Sequence, residues 1–354
     1  MYNIHIILNF GERFVFNDYK VVVVDECLNA TPNLMGRTCL EWLKTTVEID
    51  DIATNIPASV DTDTIILFDD TPLVDYEALE RIVTVFESKD LIAAELNRGY
   101  IFKAGKIKIK GLKLIDDSAF IRFDASKFPF IISALREKIN KRLIESGVFI
   151  YDPASTYIDD TVKIEEGAVI YPNVTITGNS VIKKGAVIKP NCFIENSIIN
   201  GYATINASTV AESEVGSLTN VGPYAYIRPG SKVGSGCKIG DFVEIKNSSI
   251  GNGTKVPHLA YVGDADVGSD INIGCGVIFA NYDGRNKHRS QVDDGTFIGS
   301  NSTLIAPIKV GRRSFIAAGA TLVHDVPDGA LVIARATETV KEGRAEKYLK
   351  PEQR

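Results

Sequence analysis

The sequence has few cysteines, and their spacing makes no metal site. The cysteines are odd in number, scattered, and form no C-x-x-C pair: Cys27, Cys39, Cys192, Cys237 and Cys275. This usage suits a reducing compartment and predicts neither a disulfide framework nor a zinc ligand set. We therefore expect a cytoplasmic protein with free thiols.

Long apolar runs and an excess of positive charge are also missing. No run of eighteen apolar residues occurs, so the sequence predicts no membrane span. The first residues, MYNIHIILNFGERF, lack a basic start and a small-residue cleavage site, and we interpret them as a strand rather than a signal peptide. The formal net charge of −6 argues against a nucleic-acid-binding protein. With 354 residues, 45% of them apolar, the chain can form two or three domains with sizeable cores.

Isoleucine returns every six residues in the middle of the chain: Ile158, Ile164, Ile170, Ile176, Ile182, Ile188 and Ile194. Three residues after five of these come Gly167, Asn173, Asn179, Gly185 and Asn191. A period of six requires a short strand, a corner and another short strand, and Gly and Asn tolerate the left-handed backbone of such a corner. The pattern therefore predicts a parallel β-helix, with three strands per coil and the aliphatic residues pointing inward.

The segments around the repeat predict other structures. KVVVVDE and TIILFDD indicate strands, and residues 75–88 indicate a helix, so we expect a small α/β domain at the front. Residues 133–147 have helical spacing and are predicted to cap the first coil. The repeat is interrupted by ANYDGRNKHRSQVDDGT, which is either a binding loop or a solvated insertion. In this loop we interpret His288 and Arg289 as solvated residues.

The stretch from Val221 onward resembles the acetyltransferase half of a bacterial bifunctional family. Members of this family, called GlmU-like, combine two activities: glucosamine-1-phosphate N-acetyltransferase and N-acetylglucosamine-1-phosphate uridylyltransferase. The matching segments follow one another in order: VGPYAYIRPGSKVG, IGDFVEIKNSSIGNGTK, HLAYVGDADVG, NIGCG, NYDGRNK, FIGSNSTLIAP, IAAGATLVHDVP and ARATETVKEG. Hexapeptide repeats alone are weak support, whereas H-L-x-Y-x-G-D and NYDGxNK in this order are specific.

The resemblance implies the fold class and the assembly. It implies a left-handed parallel β-helix (a hexapeptide-repeat solenoid), preceded by a small α/β nucleotidyltransferase-like domain and a connecting helix. The expected boundaries are 1–127 for the α/β domain, 128–150 for the connecting helix, 151–336 for the β-helix and 337–354 for a C-terminal arm. It further implies a homotrimer with active sites between neighbouring subunits. The implied pathway is UDP-GlcNAc biosynthesis for cell-wall peptidoglycan.

The resemblance also implies roles for residues of the sugar site. His258 matches the general base, although a lone histidine in a repeat, taken by itself, is more often structural. Arg228 and Lys246 match phosphate-binding positions, although each alone would be interpreted as an ordinary surface charge. Tyr261 and Asn272 match positions that contact the sugar. The implied acceptor is glucosamine-1-phosphate, and no metal is required for its N-acetylation.

Acetyl-CoA is the implied acetyl donor. The matching positions are Cys275, Asn281, Tyr282, Lys287, Ser300, Ala318 and Arg335. Cys275 stands where the family pattern has alanine, and Pro257 stands where it has glycine before the histidine. A nucleophilic role for Cys275 is a minor alternative to a backbone contact at this position.

The front of the chain departs from the family pattern. The glycine-rich loop that wraps nucleotide phosphates is absent, and this region has the sequence IILNFGERFVF instead. Asp70 in LFDDTPL matches a magnesium-binding aspartate, but the second metal ligand has no counterpart. Read without the family, Asp69 and Asp70 are either ligands at a strand end or turn residues. We therefore expect a degenerate domain without uridylyltransferase activity. Two alternatives remain: an acetyltransferase for another amino sugar or nucleotide sugar, and a non-catalytic nucleotide-sugar-sensing scaffold.

Overall fold

The computed structural model describes residues 19–24, 33–74, 76–115, 120–121 and 123–348. The strand expected near the start of the chain and Cys27 lie outside these residues. The chain divides into two compact units, Met1–Tyr202 and Ala203–Arg354. The described helices are α1 (Cys39–Thr46), α2 (Tyr76–Ser88), α3 (Phe128–Glu145) and a short 3-10 helix (Ala345–Lys347). None of the helices in these ranges is both long and apolar enough to cross a membrane.

The first unit begins with a five-stranded mixed sheet. Its strands, in spatial order, are Asp51–Ala53, Lys20–Val24, Thr64–Phe68, Gly99–Phe102 and Ala93–Leu96. The first three are parallel, and the last two pair antiparallel. Two small antiparallel pairs flank the sheet: Ser59–Val60 with Gly105–Lys106, and Leu73–Val74 with Phe120–Ile121. The predicted strands in KVVVVDE and TIILFDD and the predicted helix near residues 75–88 are confirmed.

Both faces of this sheet are covered, which explains why its central strands are continuous apolar runs. Val21 and Val23 pack with Leu43 of α1 and Phe86 of α2 on one side. Val24 belongs to a second core on the other side. Helix α1 begins with a capping box, in which the Thr38 hydroxyl and the Glu41 carboxylate each accept the other residue's backbone N–H.

Helix α3 leads into the first coils of a β-helix. It buries one side, and the amide of Asn140 donates to the carbonyls of Pro153 (2.9 Å) and Thr156 (3.0 Å) in the first coil. The predicted helical cap on the first coil is confirmed. Three parallel faces follow in this unit. The strands are Phe149–Ile150, Val169–Ile170 and Val187–Ile188 (first face), Tyr157–Ile158, Thr175–Thr177 and Phe193–Glu195 (second face), and Lys163–Ile164, Val181–Ile182 and Ile198–Ile199 (third face).

The second unit also has three parallel faces, numbered here in the same order along each coil. Its first-face strands are Thr204–Ile205, Asn220–Val221, Lys238–Asp241, Lys255–His258, Asn272–Ile273, Phe297–Ile298, Phe315–Ile316 and Leu331–Val332. Its second-face strands are Thr209–Ala211, Tyr226–Ile227, Glu244–Lys246, Tyr261–Gly263, Ile278–Ala280, Thr303–Ile305 and Thr321–Leu322. Its third-face strands are Glu214–Val215, Lys232–Val233, Ser249–Ile250, Ala265–Val267, Ser290–Val292 and Ile308–Val310.

Aliphatic side chains stack in register inside the coils. On the second face Ile227 pairs with Ile245, and Ile245 with Val262, all fully buried. Each coil thus buries its repeat residues against the next, which is why the six-residue period is maintained. The predicted fold class, a hexapeptide-repeat solenoid preceded by an α/β domain and a connecting helix, is confirmed.

Left-handed backbone occurs at the corners, mostly where the sequence predicts it. Gly167, Asn173, Gly185 and Asn191 have φ between 58° and 79°. The prediction for Asn179 is wrong, because the left-handed residue there is Gly178, with φ of 67°. At this corner the preceding strand, Thr175–Thr177, has a third residue, which moves the turn to the residue directly after it.

Candidate functional site

His258 and Asp241 occupy equivalent positions in neighbouring coils. Each is the last residue of a four-residue first-face strand, and the two are register partners. His258 Nδ1 and Asp241 Oδ1 are 2.6 Å apart. The imidazole is 54% exposed, so this pair lies at the surface of the corner between the first and second faces. The hydrogen bond with His258 holds the pKa of the Asp241 carboxyl below its ordinary value.

The same corner carries several residues predicted to bind acetyl-CoA. Cys275, Ser300, Ala318 and Arg335 each follow a first-face strand in successive coils, and all are exposed. Hydrogen bonds connect neighbouring coils at this corner. The Asn301 backbone N–H donates to the Cys275 carbonyl, and the Arg335 side chain donates from its guanidinium to the Ala318 carbonyl at 2.6 Å. The structure therefore brings these four predicted residues into one column.

Arg228 begins a second group, at the corner after the second face. Its Nη1 donates to Glu244 Oε1 at 2.6 Å, and its guanidinium lies 5.7 Å from the centre of the Tyr226 ring. Both members of the Arg228–Glu244 pair are 39% exposed. A cation at this position can exchange its carboxylate partner for a phosphate at little cost, because exposed ion pairs are weak.

Lys246 lies one coil beyond Arg228 and is more buried. Its ammonium is 3.4 Å from Asp264 Oδ2. Lys287 comes from the loop that interrupts the repeat, and the neighbouring Lys246 lowers the pKa of Lys287. Two neighbouring ammonium groups repel each other, and a phosphate bound between them would relieve the repulsion.

Asp264 lies at the centre of this second group. Its carboxylate is only 9% exposed and accepts hydrogen bonds from Asn247 Nδ2 (2.6 Å), from Asn281 Nδ2 and from Lys246. Burial alone would raise the pKa of Asp264, but these three donors outweigh it and lower the pKa. The carboxylate thus links Lys246, predicted for the sugar phosphate, with Asn281, predicted for acetyl-CoA.

Tyr261 spans the second face between the two corners. Its hydroxyl accepts from Asn281 Nδ2 at 3.4 Å. The phenol lies over Gly263, where an added Cβ would be 2.3 Å from the hydroxyl oxygen. A glycine is therefore required for the ring to lie flat along this strand. His258 is at one end of the strand Tyr261–Gly263 and Asp264 at the other.

The interrupting loop is braced by its own side chains. Asp283 accepts the backbone N–H groups of Asn286 (2.7 Å) and Arg285 (2.8 Å), and its Oδ2 is 2.7 Å from His288 Nε2. These bonds, the one from Asn286 first, lower the pKa of Asp283 to about 2. Arg289 forms a two-pronged ion pair with Asp266. Both side chains stay accessible to solvent, as expected, with His288 33% and Arg289 44% exposed, and the loop in addition supplies each with a carboxylate partner.

The remaining predicted residues are less connected. Tyr282 is exposed and donates its hydroxyl to the Gly284 carbonyl, 2.7 Å away. Asn272 begins a first-face strand, where it pairs with Lys255 and Phe297. Across the described residues, no hydrogen bond or ion pair joins the His258–Asp241 pair to the group around Asp264. Second-face strands connect the two corners, among them Glu244–Lys246 and Tyr261–Gly263.

Three carboxylates escaped the sequence analysis: Asp241, Glu244 and Asp264. Each lies one coil away from its partner, at separations of 17, 16 and 18 residues. Because a coil contains three six-residue units, a search for carboxylates about one coil from each candidate cation or histidine would have found them.

Asp70 is the residue that would hold magnesium in the front domain. It follows the strand Thr64–Phe68 in a turn, is 3% exposed, and accepts from Arg98 Nε at 2.6 Å. The Arg98 guanidinium also lies 4.2 Å from the centre of the Phe68 ring. An arginine thus provides the positive charge at this carboxylate, and the residues do not fit a magnesium ion. No group of three or more metal-ligating side chains occurs in the described part of the chain.

Two family models match segments of the β-helical part. A family model described as the GMPPB C-terminal domain matches residues 153–221, and one described as bacterial transferase hexapeptide (six repeats) matches residues 212–247. The bifunctional protein GlmU of Clostridioides difficile is 50% identical over 213 residues, which is 60% of this chain and 46% of that protein. The bifunctional protein GlmU of Brevibacillus brevis is 45% identical over 244 residues, which is 69% of this chain and 53% of that protein. The chain therefore spans about half the length of the curated relatives it matches.

A solved structure with partial similarity is the UDP-N-acetylglucosamine acyltransferase of Francisella novicida. It is 20% identical, with a TM-score of 0.36. The match covers 58% of this chain and 75% of that chain.

Proposed function

We propose, from the premise that the chain is a GlmU-like protein, that it transfers the acetyl group of acetyl-CoA to the amine of glucosamine-1-phosphate. The observation that carries the proposal is the arrangement along one strand. An exposed imidazole lies at one end of Tyr261–Gly263, and the Lys246–Lys287 group lies at the other. This suits a substrate that has an amine at one side and a phosphate at the other.

In the proposed reaction the sugar amine must lose a proton as it attacks the thioester. The new N–C bond forms, the C–S bond of acetyl-CoA breaks, and the amine proton passes to His258 Nε2. His258 then gives that proton to the departing sulfur of CoA, so that protons and electrons balance. An imidazole has an ordinary pKa near 6.5, which suits both steps at neutral pH.

The sugar phosphate would bind at the end of the strand Tyr261–Gly263 where the cationic side chains lie. Arg228 offers a planar fork, and Lys246 and Lys287 offer point charges. Asp264 keeps Lys246 in place, so the phosphate finds these groups largely pre-organised. Tyr261 and Asn272 would contact the sugar ring, with Tyr261 lying along the strand between base and phosphate.

Acetyl-CoA would lie along the column of Cys275, Ser300, Ala318 and Arg335. These residues are exposed and belong to successive coils, which suits a long substrate lying across them. Asn281, Tyr282 and Lys287 would complete the site from the loop. Acetyl-CoA as donor and the free thiols of the described cysteines fit a cytoplasmic location.

A homotrimer with sites between subunits is part of the proposal. It is supported by a column of exposed apolar residues at the corner between the first and second faces. These residues are Tyr224, Phe242 and Leu259, which are 57–64% exposed. All three have left-handed backbone, with φ of 38–59°, which costs roughly 1–2 kcal/mol per residue. A neighbouring copy that covers these side chains would offset this strain.

The activity is tested with purified protein, acetyl-CoA and a panel of acceptors, by following release of the CoA thiol. Glucosamine-1-phosphate should be acetylated, and His258→Ala should lower kcat at least about 100-fold. Arg228→Ala should raise KM for glucosamine-1-phosphate far more than for glucosamine. Turnover of a nucleotide sugar instead would support the alternative acceptor, and no turnover of any amine would support the scaffold.

The assembly is tested by light scattering and by mixing variants. The wild-type protein should have three times the mass of one chain. Co-refolded His258→Ala and Arg335→Ala chains should recover part of the activity that each lacks alone, if a site combines residues from different subunits. A monomer that is fully active would contradict this part of the proposal.

We include in the proposal that the front domain has no uridylyltransferase activity. The missing glycine-rich loop and the Asp70–Arg98 pair support this, because phosphoryl transfer depends on a phosphate cradle and a metal. Protein incubated with UTP, Mg²⁺ and N-acetylglucosamine-1-phosphate should release no pyrophosphate. Steady formation of UDP-N-acetylglucosamine by protein free of contaminating enzyme would overturn it.

A further inference from the structure

Asp241 and His258 are held together by the backbone register of their strands as well as by their hydrogen bond. The two residues are register partners at the ends of neighbouring four-residue strands, whereas most strands of the coils have two or three residues. Their ring-nitrogen to carboxylate-oxygen distance is 2.6 Å. The longer strands carry both side chains out to the corner, where they meet.

The local sequence allows the two coils to approach closely at this point. A Cβ at Gly240 would lie 1.8 Å from the Pro257 carbonyl oxygen, so only glycine fits before Asp241. Pro257 restricts the backbone directly before His258. The Leu259 N–H also donates to the Asp241 carbonyl at 2.8 Å, which fixes the two corners against each other.

The charge state of the carboxylate determines which ring nitrogen carries a proton. The His258 hydrogen bond and then the backbone N–H of Asp241 itself keep the pKa of this carboxyl below its ordinary value, and Lys238 adds to the effect. The carboxylate is therefore ionised at neutral pH and can only accept. Nδ1 must then be the protonated nitrogen, and Nε2 has the free lone pair.

We propose that Asp241 is a positioning residue for acetyl transfer: it holds His258 in the Nδ1–H tautomer, with Nε2 as the base, and stabilises the imidazolium that forms. This inference rests on the proposed function, in which His258 takes the proton of the amine. The Asp241 carboxylate is hydrogen-bonded to His258, so we place its effect in the orientation and charge of the imidazole. The pair divides the work as in other carboxylate–histidine bases, in which the carboxylate orients the ring and offsets its charge.

Kinetics of Asp241→Ala and Asp241→Asn test the role. Asp241→Ala should lower kcat about 10- to 100-fold, which is part of what a general base supplies, and leave both KM values within about threefold. Asp241→Asn should recover part of this loss, because its Oδ1 can accept the same Nδ1–H. In both variants the pH profile of kcat/KM should differ from that of the wild-type protein, because the carboxylate that faces the ring is removed or neutralised.

The matched control is Asp270→Asn. Asp270 is an exposed aspartate at another corner, with a φ of 55° that asparagine tolerates. Its kinetics and pH profile should equal those of the wild-type protein. If Asp241→Ala behaves like this control, or changes KM alone, the inference is overturned.

A measurement independent of activity separates this inference from the proposed function. In full-length protein labelled with ¹⁵N-histidine, with His258→Ala used for assignment, His258 should show a protonated Nδ1 and an unprotonated Nε2 above its pKa. The opposite tautomer, or a tautomer mixture unchanged by Asp241→Ala, would overturn the role of Asp241 even if the enzyme is active. The expected tautomer in a protein without acetyltransferase activity would leave the pairing intact and remove the proposed function.

Discussion

Arg289 and Asp266 form a two-pronged ion pair that fastens the end of the interrupting loop to the third face. Nε lies 2.6 Å from Oδ2 and Nη2 lies 2.6 Å from Oδ1. The same guanidinium donates to the carbonyls of Asn247 (2.9 Å) and Ala265 (3.2 Å). The end of the loop that carries Lys287 is therefore held in a fixed position against the third face.

Removal of this anchor should loosen the loop. Arg289→Met keeps the length of the side chain and loses its charge and donors, which for an exposed pair is worth up to about 1 kcal/mol. Trypsin should then cut after Arg285 or Lys287 about fivefold faster than in the wild-type protein. Arg312→Met, at another exposed arginine, is the control and should leave the cleavage rate unchanged. Equal cleavage of both variants would contradict the anchoring role.

The loop should keep its shape until strongly acidic pH. The pKa of Asp283 is lowered to about 2, from an unfolded value near 3.9. A lowered folded pKa stabilises the loop above the unfolded value, and the stabilisation is lost as the pH falls through the folded one. Hydrogen exchange of the Arg285 and Asn286 amides should therefore stay protected at pH 4 and lose protection toward pH 2. Asp283→Asn should remove the pH dependence of the protection factors. Protection factors of these two amides that do not change between pH 4 and pH 2 in the wild-type protein would contradict the prediction.

Replacing Asp264 by asparagine should destabilise the second unit. The buried carboxylate accepts from three donors, and an amide can satisfy them only in part, at a cost of about 1–3 kcal/mol. Because its folded pKa is lowered, the wild-type advantage is full above about pH 5 and declines as the pH falls through the folded pKa. Thermal melts of the wild-type protein and Asp264→Asn should therefore differ at pH 7, and the difference should shrink as the pH falls below the unfolded pKa near 3.9. A difference that persists in acid would show that charge is not the cause.

Cys275 should be the first of the described cysteines to react with iodoacetamide. Cys275 is exposed, whereas Cys39, Cys192 and Cys237 are buried, and burial raises the pKa of the Cys237 thiol further. Peptide mapping should find the label on Cys275, and acetyl-CoA should slow the labelling if the proposed column binds it. Cys275→Ala should keep activity within about threefold, because the expected contact is made by the backbone. A total loss of activity would instead favour the nucleophilic role.

Two adjacent residues test the core of the coils. Phe279 is fully buried, whereas its neighbour Ile278 is 47% exposed on the same strand. Phe279→Ala should lower the free energy of unfolding by about 3–5 kcal/mol, and Ile278→Ala by about 1 kcal/mol or less. Urea denaturation midpoints measure the difference. Similar midpoints for both variants would contradict the inward register of this face.

The sequence by itself determined the architecture of the coils. A six-residue aliphatic period can be buried only by short strands that turn at regular corners, so the stacking of Ile227, Ile245 and Val262 could be predicted without a structure. Local deviations could not, as Asn179 illustrates, because one extra strand residue moved the turn to Gly178. The residue types indicate that a corner is present, and the strand register of the coil determines which residue has the left-handed backbone.

The tertiary structure alone decided which charges meet. Asp241 and His258 are 17 residues apart, and Lys246 and Asp264 are 18 apart, so the sequence shows only that each pair is about one coil apart and not that the side chains meet. Asp70 and Arg98 meet only because the sheet folds, and their ion pair occupies the position that resembles a magnesium-binding aspartate. Hydrogen bonds act over about 3 Å, and such distances between remote residues exist only after the coils and the sheet have formed.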